Sequence, residues 1–355
     1  MVRRRKKIRS GRVMSVFLLC AIMLLGDAGM MTIQAAPSTG RAANLVVIVR
    51  YQGDTVGDDD TGYNTPYTSQ ISGAPTTYWG LLQRRFNGEN DTFAIGSFRE
   101  YLSRLSGGAH QVESLFPQTV SGERVEYITL DKTLAEYQGS NEISLVAEVA
   151  QKLTEKYPTY DGTLLDRDGD GAIDNLMILA SVPKTGQFTP HTTNAGNSYT
   201  FAGKTIGYYN ILETCTTTLS SGTFWDSFDI ATAAHEYVHT FGVPDYYRTS
   251  GMNGTPVGMW DLMAGSLGRP SLLATTRENI GWAKIAQKTA TSSTYTLYDM
   301  DSAYANGGKS QAYKFYTPFS SSEYFVVEYR KPGKKYSADL DQNMSRNDFT
   351  TLSHK

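Results

Sequence analysis

Two histidines four residues apart, His235 and His239, lie on one face of a helix about one turn apart if the segment around them is helical. Imidazoles so placed can hold one Zn²⁺, and Glu236 between them can reach a metal-bound water as general base. Gly242 then offers a left-handed conformation without steric cost and can reverse the chain just past the helix. Asp245, six residues after His239, falls where the returning chain can offer a carboxylate oxygen. Two neutral nitrogens and one oxygen leave a fourth position for water, the ligand count of a catalytic zinc site. The five-residue core of this pattern is short enough to arise by chance, and the Gly242 and Asp245 offsets add the specificity it lacks.

The helix that must carry these residues reads back through Phe228–Ala234, with Ser227 or Asp226 as N-cap and with Ala231, Ala234 and Val238 small enough for close packing. The stretch HEYVHTFGVPDYY, followed by GMWDLMAG over 258–265, resembles the immune inhibitor A family of secreted bacterial metallopeptidases, with metzincin-like zinc sites. The resemblance covers most of 43–335 and is strongest from Asp166 to Ala264. It implies that His235, His239 and Asp245 are zinc ligands, that Glu236 is the base, and that Met263 forms the turn beneath the metal. Read without the family, Met263 is an ordinary core residue. Glu278, on a helix-like segment, is the rival third ligand, because gluzincins recruit a Glu from a later helix. Glu213 is a further, weaker alternative. Of the remaining histidines, His191 sits after Pro190 in a polar stretch that reads as a solvated loop beside the cleft.

A second motif occupies Asp166-Arg167-Asp168-Gly169-Asp170-Gly171-Ala172-Ile173-Asp174. Acids at positions 1, 3, 5 and 9 with Gly at 6 match the first part of an EF-hand loop, but position 12 is Met177 and a strand-like run follows. It resembles the acidic loop that precedes a sheet strand in the same family. Four carboxylates so close repel one another unless a cation joins them. The expectation is a structural Ca²⁺ held by Asp166, Asp168, Asp170 and Asp174 with the carbonyl of Ala172. The acidic run Asp58-Asp59-Asp60, with Asp54, reads as a solvated loop.

Seven basic residues in 1–12, an apolar run from Val13 to Leu25 and small residues at Ala35-Ala36 read as a secretory signal peptide, too short for a comfortable membrane span. Residues 37–355 carry 26 Lys+Arg against 34 Asp+Glu, a formal charge of −8, which argues against a nucleic-acid partner. Cys215 is the one cysteine outside the leader, so no internal disulfide is expected and the core must stand without one. Protein or peptide substrates, secretion and no stable membrane association are the expectations.

The elements that position the chemistry begin with the apolar run Ala43–Tyr51, a buried strand. Helical spacing follows over Tyr78–Phe86, Ala94–Leu105 and Asn141–Tyr157, and strands over Leu176–Ala180 and Ile206–Glu213. By resemblance, Ile206–Glu213 is the edge strand that pairs with extended substrate. After Trp282, Ser292–Leu297, Gln311–Tyr316 and Glu323–Tyr329 alternate like strands. The expected fold is α/β (α+β), zincin-like: a twisted mixed sheet and an active-site helix over 37–290, then a β-rich portion over 291–355. The polar end at Ser337–Lys355 stops where the resemblance implies more strands, as in a truncated form. A second reading of the same residues is a non-catalytic, calcium-stabilised secreted binding or adhesion protein that retains a zinc helix.

Overall fold

The computed structural model describes residues 36–54, 62–181, 189–214, 216–218, 224–248, 256–288, 294–306, 309–319, 322–334 and 337–342. These belong to one unit spanning Gln34–Lys355. The leader up to residue 35, Asp58-Asp59-Asp60, Cys215 and the end of the chain after 342 lie outside the described residues.

The main sheet is built on β1 (Gly40–Arg50), whose residues from Ala42 to Val49 are all buried. It pairs in parallel with β2 (His110–Leu115) on one side and β3 (Leu176–Ser181) on the other. Next to β3 runs β5 (Tyr208–Thr214), again parallel, and β4 (His191–Asn194) closes that end antiparallel to β5. Ile128–Thr129 adds a short sixth strand beside β1. A strand buried on both faces reads as a continuous apolar run, which is why ANLVVIV carries no alternation. The period of two reappears in what each side chain touches. Val46, Ile48, Met177, Leu179 and Leu212 face one cluster, and Leu45, Val47, Val49, Leu176, Ile178, Tyr209 and Ile211 face the other.

The second cluster is covered by α3 (Glu142–Lys156), through Leu145, Val146, Val149 and Leu153. The first is covered by α1 (Tyr78–Asn87), α2 (Phe98–Leu105) and α4 (Ile230–His239). Each fully buried aliphatic side chain here contributes about 1.5–3 kcal/mol relative to exposure. α2 starts at Phe98, not at Ala94: Gly96 has φ +66, and the Ser97 side chain caps the helix by accepting from the Glu100 amide at 3.1 Å.

Three expectations change. Ile206–Glu213 is not an edge: its β5 portion lies between β3 and β4, and the edge is β4. His191 therefore belongs to that edge strand, half-buried, with Nε2 2.7 Å from Glu142 Oε1 and Nδ1 2.8 Å from the Thr189 carbonyl. Ser292–Leu297 does not extend a sheet: its described part, from residue 294, has no regular structure and leads into a helix, Met300–Asn306. The late sheet is instead β6 (Ala286–Lys288), β7 (Ala312–Tyr316) and β8 (Tyr324–Glu328), so it draws strands from both sides of residue 290.

His110, at the start of β2, packs behind α4. Its Nε2 is 3.1 Å from the Tyr237 hydroxyl, and its ring stacks on Trp282 at 5.7 Å. Burial lowers its pKa to about 4. The folded state therefore holds His110 neutral below the pH at which the unfolded chain takes up a proton, near 6.5. Stability falls as pH drops through 6.5 toward 4, and this residue alone should cost roughly 2 kcal/mol by pH 5. Denaturant midpoints at pH 7 and pH 5 check this, because His110→Gln should shrink the loss while keeping a partner for Tyr237.

Candidate metal centre

α4 is capped by Asp229, whose carboxylate accepts from the Thr232 amide at 2.8 Å. Neither of the expected caps does this, and Ser227 Oγ instead donates to the Glu213 carbonyl. The helix is nearly all apolar or small, with Ala231, Ala233, Ala234, Tyr237 and Val238 buried against the sheet and α2. That burial leaves His235 and His239 on the remaining face. After Thr240 the chain turns at Gly242 (φ +78), a conformation an L side chain would strain, and brings back Asp245.

His235 Nε2 lies 3.2 Å from His239 Nε2 and 3.1 Å from Asp245 Oδ1, and His239 Nε2 lies 3.3 Å from the same oxygen. The other ring nitrogens are committed. His235 Nδ1 is 2.8 Å from the Leu262 carbonyl and His239 Nδ1 is 2.7 Å from the Val243 carbonyl. Each Nδ1 must then carry the proton and donate, which leaves both Nε2 atoms as lone pairs facing each other and a carboxylate. Three acceptors at such separations repel unless a cation lies between them. Ligands about 2.0–2.1 Å from a tetrahedral Zn²⁺ are about 3.3 Å apart, so the donor set fits that ion.

Glu236 is 4% exposed. Its Oε2 accepts from Thr192 Oγ1 at 3.0 Å, and its backbone carbonyl accepts from Thr192 Oγ1 at 2.6 Å and Asn210 Nδ2 at 3.1 Å. Burial raises the Glu236 carboxyl above the usual range, opposed by the neighbouring imidazoles and the Thr192 hydroxyl. Tyr247 stacks over His235 at 6.3 Å, and burial followed by the adjacent Asp245 carboxylate raises its hydroxyl to about 12.

The floor is set by Asp261. Its buried carboxylate accepts from the amides of Met263 (2.8 Å) and Leu273 (2.7 Å) and from Thr276 Oγ1 (3.0 Å). Met263 is fully buried, and its carbonyl accepts from the Tyr246 amide at 2.8 Å, so the turn holding Asp245 is tied to the Met263 turn. Glu278 is elsewhere: its carboxylate accepts from the Ile285 amide and pairs with Lys314. Glu213 is likewise outside the cluster, which comprises His235, His239 and Asp245. Thr192, Asn210, Asp261 and Tyr247 were not singled out from sequence. Tyr247 and Asp261 carry a signal, the one two residues after Asp245 and the other two residues before Met263 within GMWDLMAG.

The acidic loop gathers Asp166, Asp168 and Asp174, while Asp170 turns to accept from the Ala172 amide at 2.8 Å. Ala172 itself starts a two-residue strand paired with Thr205. Asp166 accepts from the amides of Gly169, Asp170 and Gly171 and pairs with Lys204 Nζ at 2.6 Å. Asp174 accepts from the amides of Ala43 and Arg167, which ties the loop to β1, and burial raises its carboxyl to about 7. Gly171 (φ +92) makes the bend.

The chain is a distant relative of a metalloprotease. It is 28% identical over 226 residues to the pre-pro-metalloprotease PrtV of Vibrio cholerae serotype O1, in strain M66-2 and equally in strain ATCC 39315 / El Tor Inaba N16961. The match takes in 54% of this chain and 23% of the relative, so the chain spans about a quarter of the length of the curated proteins it matches. No family model matches it. Among the described residues, no helix is long and apolar enough to cross a membrane.

Proposed function

We propose that the chain is a secreted, zinc-dependent endopeptidase of the immune inhibitor A type, with a zincin-like fold, acting on protein substrates. One observation carries the reading: the Nε2 atoms of His235 and His239 and a carboxylate oxygen of Asp245 converge at 3.1–3.3 Å, one residue from a buried glutamate. His235, His239 and Asp245 would hold a zinc ion, which would supply Lewis acidity and a water of lowered pKa. Glu236, the buried carboxylate next to His235 in the chain, would be the proton acceptor for an attacking water and the proton donor to the leaving amine. Thr192 holds the Glu236 side chain, and Met263 and Leu262 hold the floor against which His235 is oriented. Residues 1–36 direct secretion as a signal peptide.

The test is cleavage of casein by the purified protein, with and without a zinc chelator. Activity lost to the chelator and restored by Zn²⁺ supports the reading. A folded protein that binds one zinc and cleaves nothing overturns it.

We further propose that Asp166, Asp168 and Asp174 bind a structural Ca²⁺, Lys204 ceding its place on Asp166. Only two of the three carboxylates are buried, so the loop remains reachable from solvent. At calcium well above its dissociation constant the gain is about 2.7 kcal/mol, or about 5 °C in Tm. Calorimetry with calcium and with a calcium-selective chelator measures it, and Asp168→Asn should remove most of the shift.

A further inference from the structure

A cavity of about 480 Å³ is walled by Arg277, Trp282, Lys284, Tyr304, Lys309 and Gln311 among others. Its described lining holds three cationic side chains and no carboxylate. Arg277 lies on a short helix, α5 (Ala274–Asn279), and is 3% exposed. Its Nε donates to the Leu272 carbonyl at 3.3 Å and its Nη1 to the Gln311 side-chain oxygen, both neutral acceptors.

A buried guanidinium without a counter-ion is costly, by several kcal/mol, so its surroundings usually supply one. Here the three nearest carboxylates are already engaged. Glu328 accepts from the Ala274 amide at 2.8 Å and pairs with Arg330. Asp341 accepts from the Ser271 amide and hydroxyl and pairs with Arg330 at 3.2 Å. Asp261 takes the three donors that hold the Met263 turn. Arg330 adds a like charge nearby, and burial together with that repulsion pushes the Arg277 guanidinium down to about 10. Among the described residues neither Lys284 nor Lys309 makes an ion pair, and the Lys309 ammonium sits 4.3 Å over the Tyr298 ring.

We propose that this cavity is a binding site for a small oxyanion, a carboxylate- or phosphate-bearing molecule, with Arg277 as the fixed donor and Lys284 and Lys309 as outer charges. A planar fork of donors suits both groups, and Trp282 and Tyr304 give the ligand's remainder apolar walls. Thr276, next to Arg277 on α5, donates to Asp261, so an occupant of the cavity bears on the segment that floors the metal centre.

The test is titration calorimetry on the full chain with inorganic phosphate and, separately, succinate, against chloride at equal ionic strength. The expected result is saturable heat with at least one oxyanion and none with chloride. Arg277→Gln should weaken binding about tenfold or more, the loss of a charge-assisted pair of hydrogen bonds. Because Arg277 is buried and its replacement can fail to fold, the double variant Lys284→Ala/Lys309→Ala decides independently, with an expected loss of several-fold. No saturable heat from either oxyanion overturns the proposal. So does heat unchanged in the double variant, which assigns binding to the metal centre or another surface.

Discussion

If the chain is the zinc peptidase proposed above, Glu236→Gln is expected to lower the turnover of casein about a thousandfold while fold and zinc content are kept. General-base catalysis is worth about 10²–10⁴ in rate, and an amide cannot take a proton from water at neutral pH. The substitution is otherwise conservative. A glutamine carbonyl can still accept from Thr192 Oγ1, and the backbone carbonyl of residue 236 keeps its bonds from Thr192 and Asn210. None of the three converging metal donors is touched, so metal content by elemental analysis should remain one per chain. Activity near wild type in the Gln variant would remove Glu236 from the chemistry, and loss of zinc would show its role to be structural. Thr192→Val gives a graded companion: the carboxylate stays but loses its hydroxyl partner, so turnover should fall less than in Glu236→Gln.

What could be read in the sequence divides by distance along the chain. His235, Glu236, His239, Gly242 and Asp245 fall within eleven residues, and helix geometry plus one left-handed turn relates them. The acidic loop is equally local: its alternating pattern around Gly171 predicts four carboxylates together, of which Asp166, Asp168 and Asp174 gather and Asp170 does not. Its other occupant lies outside that pattern: Lys204 arrives from another strand, and nothing near Asp166 announces it. The same limit explains the misplaced edge. Ile206–Glu213 has the aromatic and alternating composition of an outer strand, but neighbours in a sheet are set by tertiary pairing, and β4 is short and polar enough to read as a loop. Thr192 reaches Glu236 across that pairing, 44 residues away in the chain. The N-cap lies two residues beyond Ser227 and three beyond Asp226 because Ser, Asp and Asp all cap well, and the choice falls to the side chain that meets a first-turn amide, here Asp229 at Thr232.

The largest stability effect is expected at Asp261. Its carboxylate is fully buried and accepts from two backbone amides and from the Thr276 hydroxyl, which also reaches the Tyr246 hydroxyl at 3.3 Å. Removing an acceptor leaves each buried donor to pay its desolvation, about 1–3 kcal/mol apiece, so Asp261→Ala should cost about 3–6 kcal/mol. The damage is directed. The amides released belong to Met263, at the turn whose neighbour Leu262 orients His235, and to Leu273, at the start of α5. On the proposed metal reading, zinc affinity should therefore fall along with Tm, because the Leu262 carbonyl orients the ring of the first histidine. Asp261→Asn separates the two contributions: it keeps one acceptor oxygen and nearly the same shape, so it should lie between wild type and Ala in both measurements. A chelator competition that found Asp261→Ala holding zinc as tightly as wild type, despite a large loss in Tm, would detach the Met263 turn from the metal centre and leave it a purely structural support.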